Sequence, residues 1–178
     1  MHAIPEPASG DAWTICTLTA SGPIGALELF LQEAEGPGFL DWRADFLGVE
    51  GLPAITARRL RDVYERAFLA AERDPYRCPL DFNRLHPIPD AVRHAGYARA
   101  GRAWMSAQWG SPFPPPWVDH RMTLRRGRQT AVFTFPVFGG LPTPLLRHLT
   151  RTRPDLRFEL DLNLEEAGEI PLGRGAAA

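Results

Sequence analysis

The sequence predicts a single α+β domain. Its 178 residues suit one domain, and a chain of this size buries a core without help from disulfides or a structural metal. Apolar residues make up 44%, as in a globular chain and unlike a disordered one. Strand and helix signals both occur, in the order strand, helix, a long and mainly helical stretch, strand, strand, helix, strand.

Residues 1–12 are rich in Pro, Ala and Ser and read as a loose arm. Trp13 to Ala20 is β-branched and aromatic and ends at Ser21-Gly22-Pro23, which predicts a strand followed by a turn. Ile24, Leu27, Phe30 and Leu31 then recur at helical spacing behind Pro23, whose missing N–H is harmless in a first turn, and Gly36-Pro37-Gly38 is expected to stop the helix. Residues 37–118 form the expected insertion. Within it, Phe39 to Pro53 has no steady period, whereas Thr56 to Asp74 sets Leu60, Val63, Tyr64, Ala67, Phe68 and Ala71 on one helical stripe. Asp74-Pro75 ends that helix, because a residue before proline is pushed out of the α region. Cys78 to Pro89 is proline-rich, which disfavours a helix or an inner strand and predicts an ordered loop that buries Leu80, Phe82, Leu85 and Ile88.

Asp90 suits the cap of a weak helix that runs toward Trp104, Met105 and Trp109 and stops at the prolines after Ser111. Arg121 to Leu124, a turn at Arg126-Gly127, and Thr130 to Phe135 predict a β-hairpin. Thr143-Pro144 reads as a cap followed by a first-turn proline, opening a short helix through Leu145, Leu146 and Leu149 that Arg153-Pro154 ends. In the last strand Phe158, Leu160, Leu162 and Leu164 alternate with Arg157, Glu159, Asp161 and Asn163, one face for the core and one for water. Residues 168–178 read as a loose tail. This is the split βαβ order of a ferredoxin-like βαββαβ sandwich, one antiparallel sheet with helices on one face.

The formal net charge is −1, and all 20 basic residues are arginine. The missing lysine accompanies a bias to Arg, Ala, Pro and Gly that a GC-rich coding sequence produces without functional pressure. Near-neutrality removes the global attraction that non-specific duplex binders use. No apolar run approaches the roughly 20 residues that span a bilayer, and the chain is expected in the cytoplasm. Cys16 and Cys78 stand alone, outside any CxxC pattern, and are expected to be reduced thiols.

Four segments carry a resemblance. They are Leu18 to Pro23; Pro79-Leu80-Asp81-Phe82-Asn83-Arg84-Leu85-His86-Pro87-Ile88-Pro89; Gln108-Trp109-Gly110-Ser111; and Phe133-Thr134-Phe135 through Arg153-Pro154-Asp155-Leu156-Arg157-Phe158-Glu159-Leu160. Together they resemble the phage- and plasmid-borne proteins of the YubB type, which end in a ferredoxin-like domain. The second segment is similar to that family's "DFN" stretch with its proline-flanked apolar residue, and Asp81, Phe82, Asn83, Pro87 and Pro89 are the positions that match. Phe39 to Asp74 has no counterpart, and Pro112, Phe113 and Pro136 to Pro142 depart from the family pattern. The resemblance implies a fold and a mobile-element setting, with no reaction, substrate or cofactor.

The candidate chemistry points to binding more than to catalysis. His2, His86, His94, His120 and His148 are scattered, so no converging metal-ligand set is expected, and no glycine loop has the spacing or lysine that a nucleotide needs. No cofactor or catalytic residue is assigned; an enzyme would have to gather Cys78, Asp81, Arg84 and His86 in one cleft. Trp104, Trp109, Phe113 and Trp117, interleaved with prolines, suit a partner-binding surface, the partner being a host or defence protein such as a CRISPR-Cas component. The simpler reading is that the same residues glue the insertion onto the open sheet face. The alternative is RNA or single-stranded nucleic acid held by Arg121, Arg125, Arg126 and Arg128 beside a platform of Phe133 and Phe135.

Overall fold

The computed structural model describes residues 13–38, 77–125 and 128–163, with the single positions Ile55, Arg58, Leu69 and Arg73. The expected arm, most of the 56–74 helix, the 39–53 segment, the hairpin tip at 126–127 and the tail lie outside the described residues. Of the expected second helix, Arg58, Leu69 and Arg73 are described, each helical and exposed.

The fold is α+β, built on one four-stranded antiparallel sheet. The strands are β1 (Trp13–Gly22), β2 (Asp119–Arg125), β3 (Arg128–Phe138) and β4 (Arg157–Asn163), in the spatial order β2-β3-β1-β4. β1 and β2 therefore point the same way with β3 between them, and β3 and β4 point the same way with β1 between them. β1, read first, lies inside the sheet. Its partners place Cys16 across from Phe135 and Leu162, and Leu18 across from Phe133 and Leu160.

Period-two alternation gives the sheet its two faces. Cys16, Leu18, Ala20, Ala131, Phe133 and Phe135 are buried on the inner face. On the outer face Thr17 pairs with Thr134, Ser21 with Thr130, and Thr123 with Thr130, so that face carries rows of hydroxyls. The helices cover the inner face: α1 (Ile24–Ala34) through Leu27, Phe30 and Ala34, α2 (Phe82–Leu85) through Phe82, and α5 (Thr143–Thr152) through Leu145 and Leu149. The ring of Phe30 meets Phe133 and Phe158 edge-on, and that of Phe82 meets Phe135 edge-on at 5.6 Å. α3 (Asp90–Ala95), a π turn (Tyr97–Gly101) and α4 (Arg102–Gln108) complete the insertion.

Several local expectations are corrected. The proline-rich stretch is not all loop, because Asp81 accepts hydrogen bonds from the N–H groups of Asn83 and Arg84 and so caps the single turn of α2. Asp90 and Thr143 do not cap their helices; Pro89 and Pro142 hold the cap positions and neither makes a side-chain cap bond. Ile24, expected on the apolar stripe of α1, is 42% exposed, while Ala34 takes a place in the core.

Candidate functional site

The second and third of the segments that carry the resemblance meet in space. Phe82 and Trp109 pack edge-to-face at 5.9 Å, and the indole N–H of Trp109 donates to the carbonyl of His86 at 3.0 Å. Asp81 is 3% exposed, and its second carboxylate oxygen accepts from the N–H of Gly38. Asn83 Oδ1 accepts from the N–H of Ile88, which holds Ile88 in the core between the exposed Pro87 and Pro89. The matched residues thus form a clip that fixes the chain path. Next to it, Gly110 has φ +84°, and a Cβ there would run into the carbonyl of Leu141. Ser111, itself buried, accepts from the N–H of Phe113 and donates to the Phe113 carbonyl, which sets the turn that brings Phe113 to the surface.

The four expected partner-binding aromatics separate. Trp109 is fully buried and cannot touch a partner of the folded protein, which corrects that assignment. Trp104 packs against the core, edge-on to both Trp109 and His86. Trp117 is half-buried, and its indole N–H has no hydrogen-bond partner among the described residues. Phe113 alone is 40% exposed. It belongs to a different set: it stacks on Tyr97 at 5.8 Å and meets Phe138 at 6.0 Å, and Phe138 in turn meets Trp13 at 5.3 Å. Tyr97, Phe138 and Trp13 are each half-buried, so four rings form a continuous ladder with one flank in water. Burial raises the Tyr97 phenol, and the charge of Arg102 pulls it back down, which places a cation at that end of the ladder.

Phe133 and Phe135, the expected stacking platform, are buried on the helix-covered face, and this corrects the layout on which the nucleic-acid reading rests. Arg121 is exposed on the outer face opposite Val132. Arg125 and Arg128 close the β2–β3 ladder as register partners, whereas Arg126 and the side chains of Arg125 and Arg128 lie outside the described residues.

Of the set Cys78, Asp81, Arg84 and His86, the first three gather around Gly36 and Gly38. Burial pushes the Cys78 thiol up to about 11, away from the thiolate a nucleophile needs, and Asp81 is occupied by backbone N–H groups. His86 stacks on His148 with ring centroids 3.9 Å apart and planes within 4°. Burial lowers the basicity of both imidazoles, and nearby Arg151 lowers it further. Neither the ladder partners of Phe113 nor this histidine pair was identified from sequence. β1–β3 register brings Trp13 to Phe138, and α5 brings His148 to the proline loop; no local spacing carries either signal.

Comparison with family models, curated proteins and solved structures returns no match.

Proposed function

We propose that the protein is a binding module that captures a partner protein on the ladder Tyr97, Phe113, Phe138 and Trp13. The observation that carries this reading is four partly exposed aromatic rings in unbroken contact, with Phe113 outermost. Flat aromatic surface offers large apolar area at small conformational cost, and such residues commonly anchor interfaces. The chemistry suits an extended partner segment with aliphatic or proline side chains laid on the rings and an acidic residue toward Arg102. The YubB-type resemblance adds the setting of a phage or plasmid accessory protein, with a host or defence protein as the partner. The strand order and directions support reading the domain as ferredoxin-like, since each βαβ pair of parallel strands is split by an antiparallel neighbour.

The test is affinity capture from host lysate with wild type and Phe113→Ala, both treated with nuclease. A protein retained by wild type and lost by a folded Phe113→Ala supports the reading. A captured set that Phe113→Ala leaves unchanged, or one that nuclease abolishes, overturns it.

A further inference from the structure

A groove of about 400 Å³ runs between the C-terminal half of α1, α2 and α5, apart from the aromatic ladder. Its apolar part is Phe30, Leu85 and Leu149; its polar wall is Arg84, His148, Thr152 and the ion pair of Arg153 with Glu33. The arginines differ in kind. Arg153 is held by the Glu33 carboxylate, by the Ala26 carbonyl at 2.9 Å and by Asp155 at 3.4 Å, so it is a fixed and neutralised wall. Arg84 has its backbone N–H anchored on Asp81, yet its exposed guanidinium meets no carboxylate among the described residues. His148 lines the same groove with its ring stacked on His86 at 3.9 Å and the positive Arg151 close by. Arg84 is thus the cation of this wall without a carboxylate partner among the described residues, and it offers hydrogen-bond donors over an apolar floor, in a space at the small end of ligand sites, roughly 300 to 1,000 Å³.

We propose that this groove binds a small organic acid, its anionic headgroup on Arg84 and His148 and its compact apolar body against Leu85 and Leu149. A guanidinium meets a carboxylate or phosphate through paired N–H donors, and a histidine beside the anion gains a reason to hold a proton. The burial that lowers the His148 basicity in the free protein is then opposed by the bound charge.

The experiment is a titration of the full chain with benzoate and, separately, phenyl phosphate, followed by calorimetry and by the His148 ring-proton resonance, with benzyl alcohol as the neutral control. Saturable binding of at least one acid is expected, with an upward move of the His148 titration midpoint, little response to benzyl alcohol, and roughly tenfold or more weakening in Arg84→Gln. Arg84 is exposed, so that variant keeps the fold. Phe113→Ala is expected to bind the acids as wild type does, which separates this site from the partner surface. Absence of saturable binding by both acids up to about 10 mM overturns the proposal. Equal binding of benzyl alcohol, or unchanged affinity in Arg84→Gln, also overturns it.

Discussion

The carboxylate of Asp81 accepts a hydrogen bond from the N–H of Gly38 at 3.0 Å, across 43 positions of the chain. The other oxygen accepts from Asn83 at 2.8 Å and Arg84 at 3.3 Å, so one buried side chain both caps α2 and ties it to the segment leaving α1. Gly36 and Cys78 complete the tie with a pair of backbone hydrogen bonds.

Asp81→Ala is therefore expected to lower stability by about 2–4 kcal/mol, as a lost cap of about 1 kcal/mol adds to a buried N–H left without an acceptor. Asp81→Asn, which keeps one acceptor oxygen, is expected to lose less. Denaturant midpoints at constant slope measure both, and equal stability of wild type and Asp81→Ala would refute the account.

Trp109 and Phe113 are close in sequence and opposite in role. Trp109→Ala is expected to cost about 3–5 kcal/mol, as for other buried aromatic truncations, while Phe113→Ala costs less than about 1 kcal/mol. Thermal melts of the two variants make the comparison; a reversed order would place Phe113 rather than Trp109 in the core.

At Gly110 the backbone itself is restrictive. With φ +84° and the Leu141 carbonyl in the way, Gly110→Ala is expected to cost at least about 1–3 kcal/mol and to lower the melting temperature. Gly25, whose Cβ position is open, is the contrasting site: Gly25→Ala in α1 is expected to stabilise by about 0.5–1 kcal/mol.

Acid is expected to weaken the fold through His86 and His148. Both are held below their ordinary value of 6.5, so the folded state binds fewer protons than the unfolded chain once the pH falls to that range. Their contribution is complete above 6.5 and is lost as the pH falls through the depressed folded values. Melting temperature across about pH 5 to 8 should rise with pH, and His148→Phe, which retains a stacking ring without a titrating one, should flatten the slope. An unchanged slope in that variant would exclude the pair as its source.

The thiols are expected to be unreactive in the native protein. Burial raises Cys16 to about 12 and Cys78 to about 11, so iodoacetamide at neutral pH should label neither until the chain is denatured. Rapid labelling of native Cys78 would contradict this.

Legibility in the sequence followed the range of the interactions involved. β4 was readable because Phe158, Leu160 and Leu162 alternate with charges on a strand with one wet face, and β1 because β-branched residues cluster between turn signals. The helical turn at Phe82–Leu85 was hidden by its prolines, since Asp81 stabilises it from the cap position and Trp109 packs on it from a distant helix. Phe133 and Phe135 were readable as alternating, but alternation does not say which face the helices cover. Cys16, within the β-branched first strand, is fully buried. The aromatic ladder and the histidine stack depend on register and helix docking, which couple positions far apart in the chain.

β1 is flanked by β3 and β4, both encoded in the second half of the chain. During synthesis the first strand emerges with neither neighbour in existence, so its two hydrogen-bonding edges and the apolar row Cys16, Leu18 and Ala20 must wait for the hairpin and then for the closing strand. The sheet is thus assembled late and from distant pieces, a topology that folds slowly and leaves the nascent chain dependent on protection until its last strand clears the ribosome.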